Sequence, residues 1–238
     1  MVAGYENDVC IMMTFIPTPH GAGVRLWGTQ DELREFYETL ERYWNPLDEA
    51  RSSEEYQRDN ILACFCYDVR HGFMGMRTVS KQHPVHKTPG EYYAVEITWT
   101  HVLFYFAVLR YNMHTRPCTK KDVKLICLAE DALRDAISAY SKRYSDAMMP
   151  FLDGAVYCGN PHLMQYMEDI NYDHLHWLRF SSPKEAFGHL ASAMEGAVYN
   201  SFNYRDILLR LQKNAKRLGC EISQLTYDYD QPPFDFKW

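Results

Sequence analysis

Ile61-Leu-Ala-Cys-Phe-Cys-Tyr-Asp-Val-Arg-His71 is the stretch on which the fold turns. With a period of two, Ile61, Ala63, Phe65, Tyr67 and Val69 share one face, and Leu62, Cys64, Cys66, Asp68 and Arg70 the other. Both faces begin apolar, which suits a central strand covered on both sides. Working outward, Gly72 to Gly75 offers a turn and Met76–Lys81 a return strand. Glu91–Trp99 reads as a further long strand after a loop with two prolines. Upstream, Asp48–Asn60 reads as a polar connection, and Ile11–Ile16 and Val24–Trp27 are short apolar runs joined by Pro17-Thr-Pro-His-Gly-Ala-Gly23, a hairpin with a long connection. The N-terminal half is therefore expected to hold a mainly antiparallel sheet of about five strands.

Helices interrupt and follow that sheet. Thr29 and Glu32 form a capping box ahead of Leu33, Phe36, Tyr37, Leu40, Tyr43 and Trp44, and Pro46 stops the helix. A second helix begins near Thr100 and ends near Met113. Its Val102–Leu109 core is apolar all round and calls for burial against the sheet. Beyond residue 115 the pattern is helical: Thr119 onward to Tyr140, Pro161–Leu178, a capping box at Ser182-Pro-Lys-Glu185, and a last helix capped by Asn203 and ended by Gly219. Strands first and helices later define an α+β protein. The 238 residues suit a single compact domain, with residues 1–115 as sheet plus two helices and 116–238 as a helical half.

Composition narrows the function. Twenty-five basic against 31 acidic residues give a net charge of −6, so no bulk attraction draws the chain to nucleic acid or an anionic membrane. The basic residues of the last helix, Arg205, Arg210, Lys213, Lys216 and Arg217, read as a solvated face. The apolar run Ile97 to Leu109 is too short to span a bilayer, which needs about 20 residues. The opening MVAGYENDVC has neither a basic nor an apolar leader region, and seven cysteines are an odd number. A cytoplasmic chain with reduced thiols is the expectation.

Tyr67-Asp68-Val-Arg70-His71 is the strongest polar constellation. On a strand, Asp68 and Arg70 are neighbours on one face, His71 points the other way, and strand register could bring Glu96 to Arg70. Asp68, Arg70, His71 and Glu96 are thus the candidate catalytic set, with Arg70 holding an anion and a carboxylate or His71 moving protons. A structural ion pair is the preferred reading of the same residues, with Asp68 and Arg70 quenched by one another or by Glu96. The histidine pairs His83/His86 and His174/His176 are each half a zinc ligand set, and Cys64/Cys66 sit in an apolar run, so no metal is expected. Gly21-Ala-Gly23 precedes a strand instead of opening a helix, which argues against a dinucleotide site, and no cofactor is expected. Cys158 stands in a turn without an electropositive setting. The tail from Leu225 to Trp238 alternates aromatic and acidic residues and is expected to dock on its own chain in preference to a partner's sheet.

Three stretches carry a family resemblance: Phe15-Ile-Pro-Thr-Pro-His-Gly-Ala-Gly-Val-Arg-Leu-Trp-Gly28 with the helix behind it, Tyr67-Asp-Val-Arg-His71, and Glu96-Ile-Thr-Trp-Thr-His-Val-Leu-Phe104. Together they resemble an uncharacterised bacterial family, a domain of unknown function. The resemblance implies a bacterial, cytoplasmic setting and no activity. With no complete catalytic constellation and abundant aromatics, the expected role is an interaction or accessory protein without catalysis, its partner another protein or a second copy of the chain. The alternative is an enzyme of hydrolase type at Asp68, Arg70, His71 and Glu96. A nucleic-acid accessory factor is a third, weaker class.

Overall fold

A computed structural model describes residues 13–44, 52–226 and 237–238. The element order is β1 (Thr14–Pro17), β2 (Gly23–Gly28), α1 (Gln30–Glu41), α2 (Ser53–Phe73), β3 (Thr78–Gln82), β4 (Pro89–Thr98), α3 (Trp99–Thr115), α4 (Lys120–Tyr140), α5 (Lys142–Leu152), α6 (Leu163–Trp177), α7 (Pro183–Ala193) and α8 (Phe202–Leu218), with two short 3₁₀ turns after α7 and α8. The protein is α+β, with a helical C-terminal half. The sheet has four strands, in the order β1-β2-β4-β3, all antiparallel, where five were expected.

The missing strand is α2. Its buried residues Ile61, Leu62, Phe65, Cys66, Val69 and Gly72 recur at helical spacing. Its start is fixed by a capping box between Ser52 and Glu55, so the polar Ser53–Asn60 stretch, expected as a connection, forms its first two turns. Two other boundaries move as well. The last helix is capped by Ser201, whose hydroxyl accepts the Tyr204 N–H, and not by Asn203. Helix α5, absent from the sequence reading, follows α4 after the single residue Ser141. Thr29 caps α1 and Gly219, at φ +69°, ends α8 as expected.

Alternation along the sheet separates its faces. Val24 and Leu26 of β2 pair opposite Ile97 and Val95 of β4, and all four point into the main core. The other face carries a small cluster of Trp27, Tyr92 and Ala94 with Ile16. β4 runs straight into α3, with Thr98 both last strand residue and helix cap, its hydroxyl accepting the His101 N–H. The main core joins residues from Met13 through Leu211, so sheet and C-terminal helices share it. Trp238, the far end of the aromatic–acidic tail, packs with Leu178 on Ala22 and Leu175; residues 227–236 lie outside the described residues.

The hairpin sits so close to β4 that Gly23 has no room for a side chain. A Cβ there would lie 1.9 Å from the Ile97 carbonyl oxygen and 2.6 Å from the Thr98 Cα. Both are backbone atoms and cannot swing aside. Gly23→Ala is therefore expected to destabilise the protein by at least about 3 kcal/mol, read as a lowered denaturation midpoint. An unchanged midpoint would mean that the strands are not this close.

Candidate functional site

On a helix, residues two apart point about 200° apart, so Asp68 and Arg70 part company. Asp68 turns toward α3 and is partly buried. Tyr105 Oη donates to its Oδ2 at 3.4 Å, and the Arg77 guanidinium lies 4.0 Å from Oδ1. Arg70 is exposed, lies over the Tyr67 ring and makes no ion pair among the described residues. His71 donates from Nδ1 to the Tyr67 carbonyl of its own helix at 2.8 Å. Glu96 is elsewhere, on the sheet face away from the main core. It pairs with Arg25, its cross-strand partner, at 3.1 Å and accepts from Thr78 at 2.8 Å. The four expected site residues do not converge.

Around Asp68 a different set gathers. His101 and Tyr105 are one turn apart on α3, and His101 Nε2 lies 3.3 Å from Glu168 of α6. Burial raises the Asp68 carboxyl, against the lowering charges of His101 and Arg77. Burial also pushes the Cys64 thiol up to about 11, with the charges of Asp68 and Glu168 adding to it. A thiol held protonated at neutral pH is no nucleophile. Cys66 and Cys158 are pushed up to about 12 by burial as well. The set can hold three helices together through hydrogen bonds and charge pairing. Its His–Glu pair is the part that could move a proton. Sequence reading missed His101 and Glu168 because they lie on helices far apart in the chain; Tyr105, four residues after His101, was read only as core.

The histidine pairs serve architecture. His83 Nδ1 accepts the backbone N–H groups of Val85 and His86, at 3.3 and 3.0 Å, and closes the β3–β4 connection. Among the described residues no group of three or more His, Cys, Asp or Glu could hold a metal ion, and no helix is long and apolar enough to cross a membrane. His174 and His176 diverge on α6, the first buried and the second exposed. Burial drives the His174 pKa down to about 4, against a smaller upward pull from the Gly21 and Ala186 backbone.

A cavity of about 430 Å³ opens where the end of α4 and start of α5 meet the start of α7. Lys142, Arg143, Lys184 and Glu185 line it, with Tyr140 and Tyr144. The Tyr144 ring lies flat on Gly188 of α7, where a Cβ would come within 2.4 Å of it. Tyr140 presses its hydroxyl on Gly21, which adopts φ +80° in the hairpin connection. The sequence reading placed no helix on residues 142–152, where α5 stands with Pro150 inside it.

Fold and site thus define an α+β protein with a basic concave surface and a partly buried carboxylate–histidine network. Residues 13–238 match the family described as a domain of unknown function, DUF6904, and the chain belongs to that family. No curated protein and no solved structure gave a match.

Two measurements test this geometry. Arg70→Met is expected to change stability by no more than about 0.5 kcal/mol, as for an exposed side chain; a large loss would restore Arg70 as a buried partner. His174 titrates near 6.5 when unfolded and about 4 when folded, so the unfolded chain binds the extra proton between those values. Its contribution is present above pH 6.5 and is lost as pH falls toward 4, by about 3 kcal/mol in all. Denaturation curves across that window should show a slope that His174→Gln reduces.

Proposed function

We propose that this chain is a cytoplasmic interaction or accessory protein that binds without catalysis, its residues folding as a single domain. One observation carries the reading: Asp68 turns to Tyr105, Arg70 and His71 lie against Tyr67 of their own helix, and Glu96 pairs with Arg25 on the far face of the sheet. Catalysis needs acid, base and nucleophile at one point in space. The exposed aromatics support a role in contact with other molecules. Phe180 and Phe202 are 70% and 77% exposed, and the exposed Tyr199 ring lies tilted 4.6 Å from that of Tyr157. The alternative, a hydrolase, is favoured by the His101–Glu168 pair beside Asp68.

A comparison of variants separates the two. Wild-type protein, Asp68→Asn and His101→Gln are assayed with p-nitrophenyl acetate and p-nitrophenyl phosphate, with unfolding curves as the control for fold. Asp68→Asn keeps an acceptor for Tyr105 and removes a carboxylate that burial disfavours, so it should fold. No turnover above that of the variants is expected. Turnover reduced by about a hundredfold or more in a folded variant would overturn the non-catalytic reading.

A further inference from the structure

The cavity between α5 and α7 gathers cations in a concave setting, where those of α8 lie on a helix face. The chain carries 31 acidic against 25 basic residues, and its arginines mostly find carboxylates. Arg25 meets Glu96, Arg42 meets Asp122, Arg110 meets Glu130, Arg116 meets Asp59, Arg134 meets Asp153, and Arg210 meets Asp169 and Asp206. Lys142, Arg143 and Lys184 line one cavity, and none of them makes an ion pair among the described residues. In a chain with a surplus of acids, three such cations at one concavity are an arrangement, not a shortage of partners.

The single carboxylate in the lining is already engaged. Glu185 Oε2 accepts the Ser182 N–H at 3.0 Å and the Ser182 hydroxyl at 2.7 Å, completing the cap of α7. Those bonds hold its pKa below the usual carboxylate range, so it stays charged as part of the cap. Three cations against one anion leave the lining at +2. The helix ends do not decide the sign. The carbonyl end of α4 and the amide end of α5 meet at Ser141, and their opposite partial charges largely offset each other. Full charges on the three side chains dominate.

Size and stiffness complete the picture. About 430 Å³ falls within the roughly 300–1,000 Å³ typical of small-molecule sites and exceeds the need of a bare ion. The walls are packed in place before any ligand arrives: Tyr144 lies on Gly188, and Tyr140 packs between Trp99, Phe187 and Gly21. Ala139, Tyr140 and Tyr144 give the lining an apolar component.

We propose that this cavity binds a small organic molecule through a dianionic, phosphate-type group, held by Lys142, Arg143 and Lys184. The assignment rests on the binding-protein reading above and names its ligand class. Phosphate fits because a dianion matches a +2 lining, and the volume leaves room for the carbon skeleton that carries it. The site is open and solvated, so affinity falls steeply with salt.

Calorimetric titration at low ionic strength with phenyl phosphate, and in parallel inorganic pyrophosphate, tests the proposal. Saturable one-to-one binding is expected, weakened about tenfold or more in Lys142→Gln/Lys184→Gln and further with Arg143→Gln added. These side chains are at the surface, so the variants should fold, and an unfolding curve verifies it. A control variant neutralises Lys213, Lys216 and Arg217 on α8 and should bind as wild type. The proposal is overturned by absence of saturable binding, by equal affinity in the cavity variants, or by an equal loss in the α8 control, which would mark general charge attraction. Product analysis of the same mixtures keeps the two readings apart. Released phosphate from a bound probe would end the non-catalytic reading and leave the site standing; absent binding without turnover would do the reverse.

Discussion

Helix α3 can exist in water only if apolar surface covers it on every side, and that requirement organises the molecule. From Val102 to Leu109 each of its side chains is buried, with Trp99 and Thr100 buried ahead of them. An amphipathic helix would accept one partner layer; this one needs several. The sheet supplies one through Val24, Leu26, Val95 and Ile97, and α2, α5 and α6 supply the others. Phe65 of α2 stacks on Tyr105 at 4.7 Å and meets Phe106 at 5.9 Å, so α2 packs on α3 while its Gly72 end lies against Val95 and Ala94 of β4. The C-terminal helices therefore complete the core that the N-terminal half begins.

Where α3 ends, polar groups take over the role of specifying position. Asn112 donates to the Tyr43 carbonyl at 2.9 Å and accepts from the buried Arg58 at 3.2 Å. Arg58 also reaches the Cys158 carbonyl at 2.9 Å and lies 4.5 Å from the centre of the Tyr111 ring. Arg116 bonds Asp59 at 2.8 Å, and Arg42 pairs with the buried Asp122 at the start of α4. Desolvation offsets much of the attraction in such pairs, so they add little net stability. Their geometry is nonetheless demanding. Sliding α1, α2, α3 or α4 by one residue would strand a buried charge, which makes one register far better than its neighbours.

Much of this arrangement was legible from residues, and the parts that were not have identifiable causes. Thr29 with Glu32, Ser182 with Glu185 and Gly219 marked helix ends by local chemistry, and local chemistry survives any tertiary context. Ile61–Val69 failed because a helix buried along a broad stripe and a strand buried on both faces present similar apolar runs. The deciding signal was Ser52-Ser-Glu-Glu55, a capping box nine residues upstream of the stretch, in a segment read as a connection. That one error carried the site with it. Asp68 and Arg70 are neighbours at a period of two and nearly opposed at 3.6, so the candidate set dissolved once the period changed. His101 and Glu168 were out of reach by their nature, since only the packing of α3 on α6 brings them together.

The two polar features left by the fold sit in different physical regimes, and that difference bears on what each can do. Near Asp68 the charges are partly desolvated and mutually compensated, so changing one shifts the others and the helices that carry them. Such a network resists reorganisation, and reorganisation is what a bound substrate would require of it. At the α5–α7 cavity the charges are solvated and only partly compensated, by Glu185, while the framework behind them is fixed by ring-on-glycine contacts. A ligand there displaces water and meets cations already in place, with no internal pair to break. Recognition is therefore easier at the cavity than at the buried network.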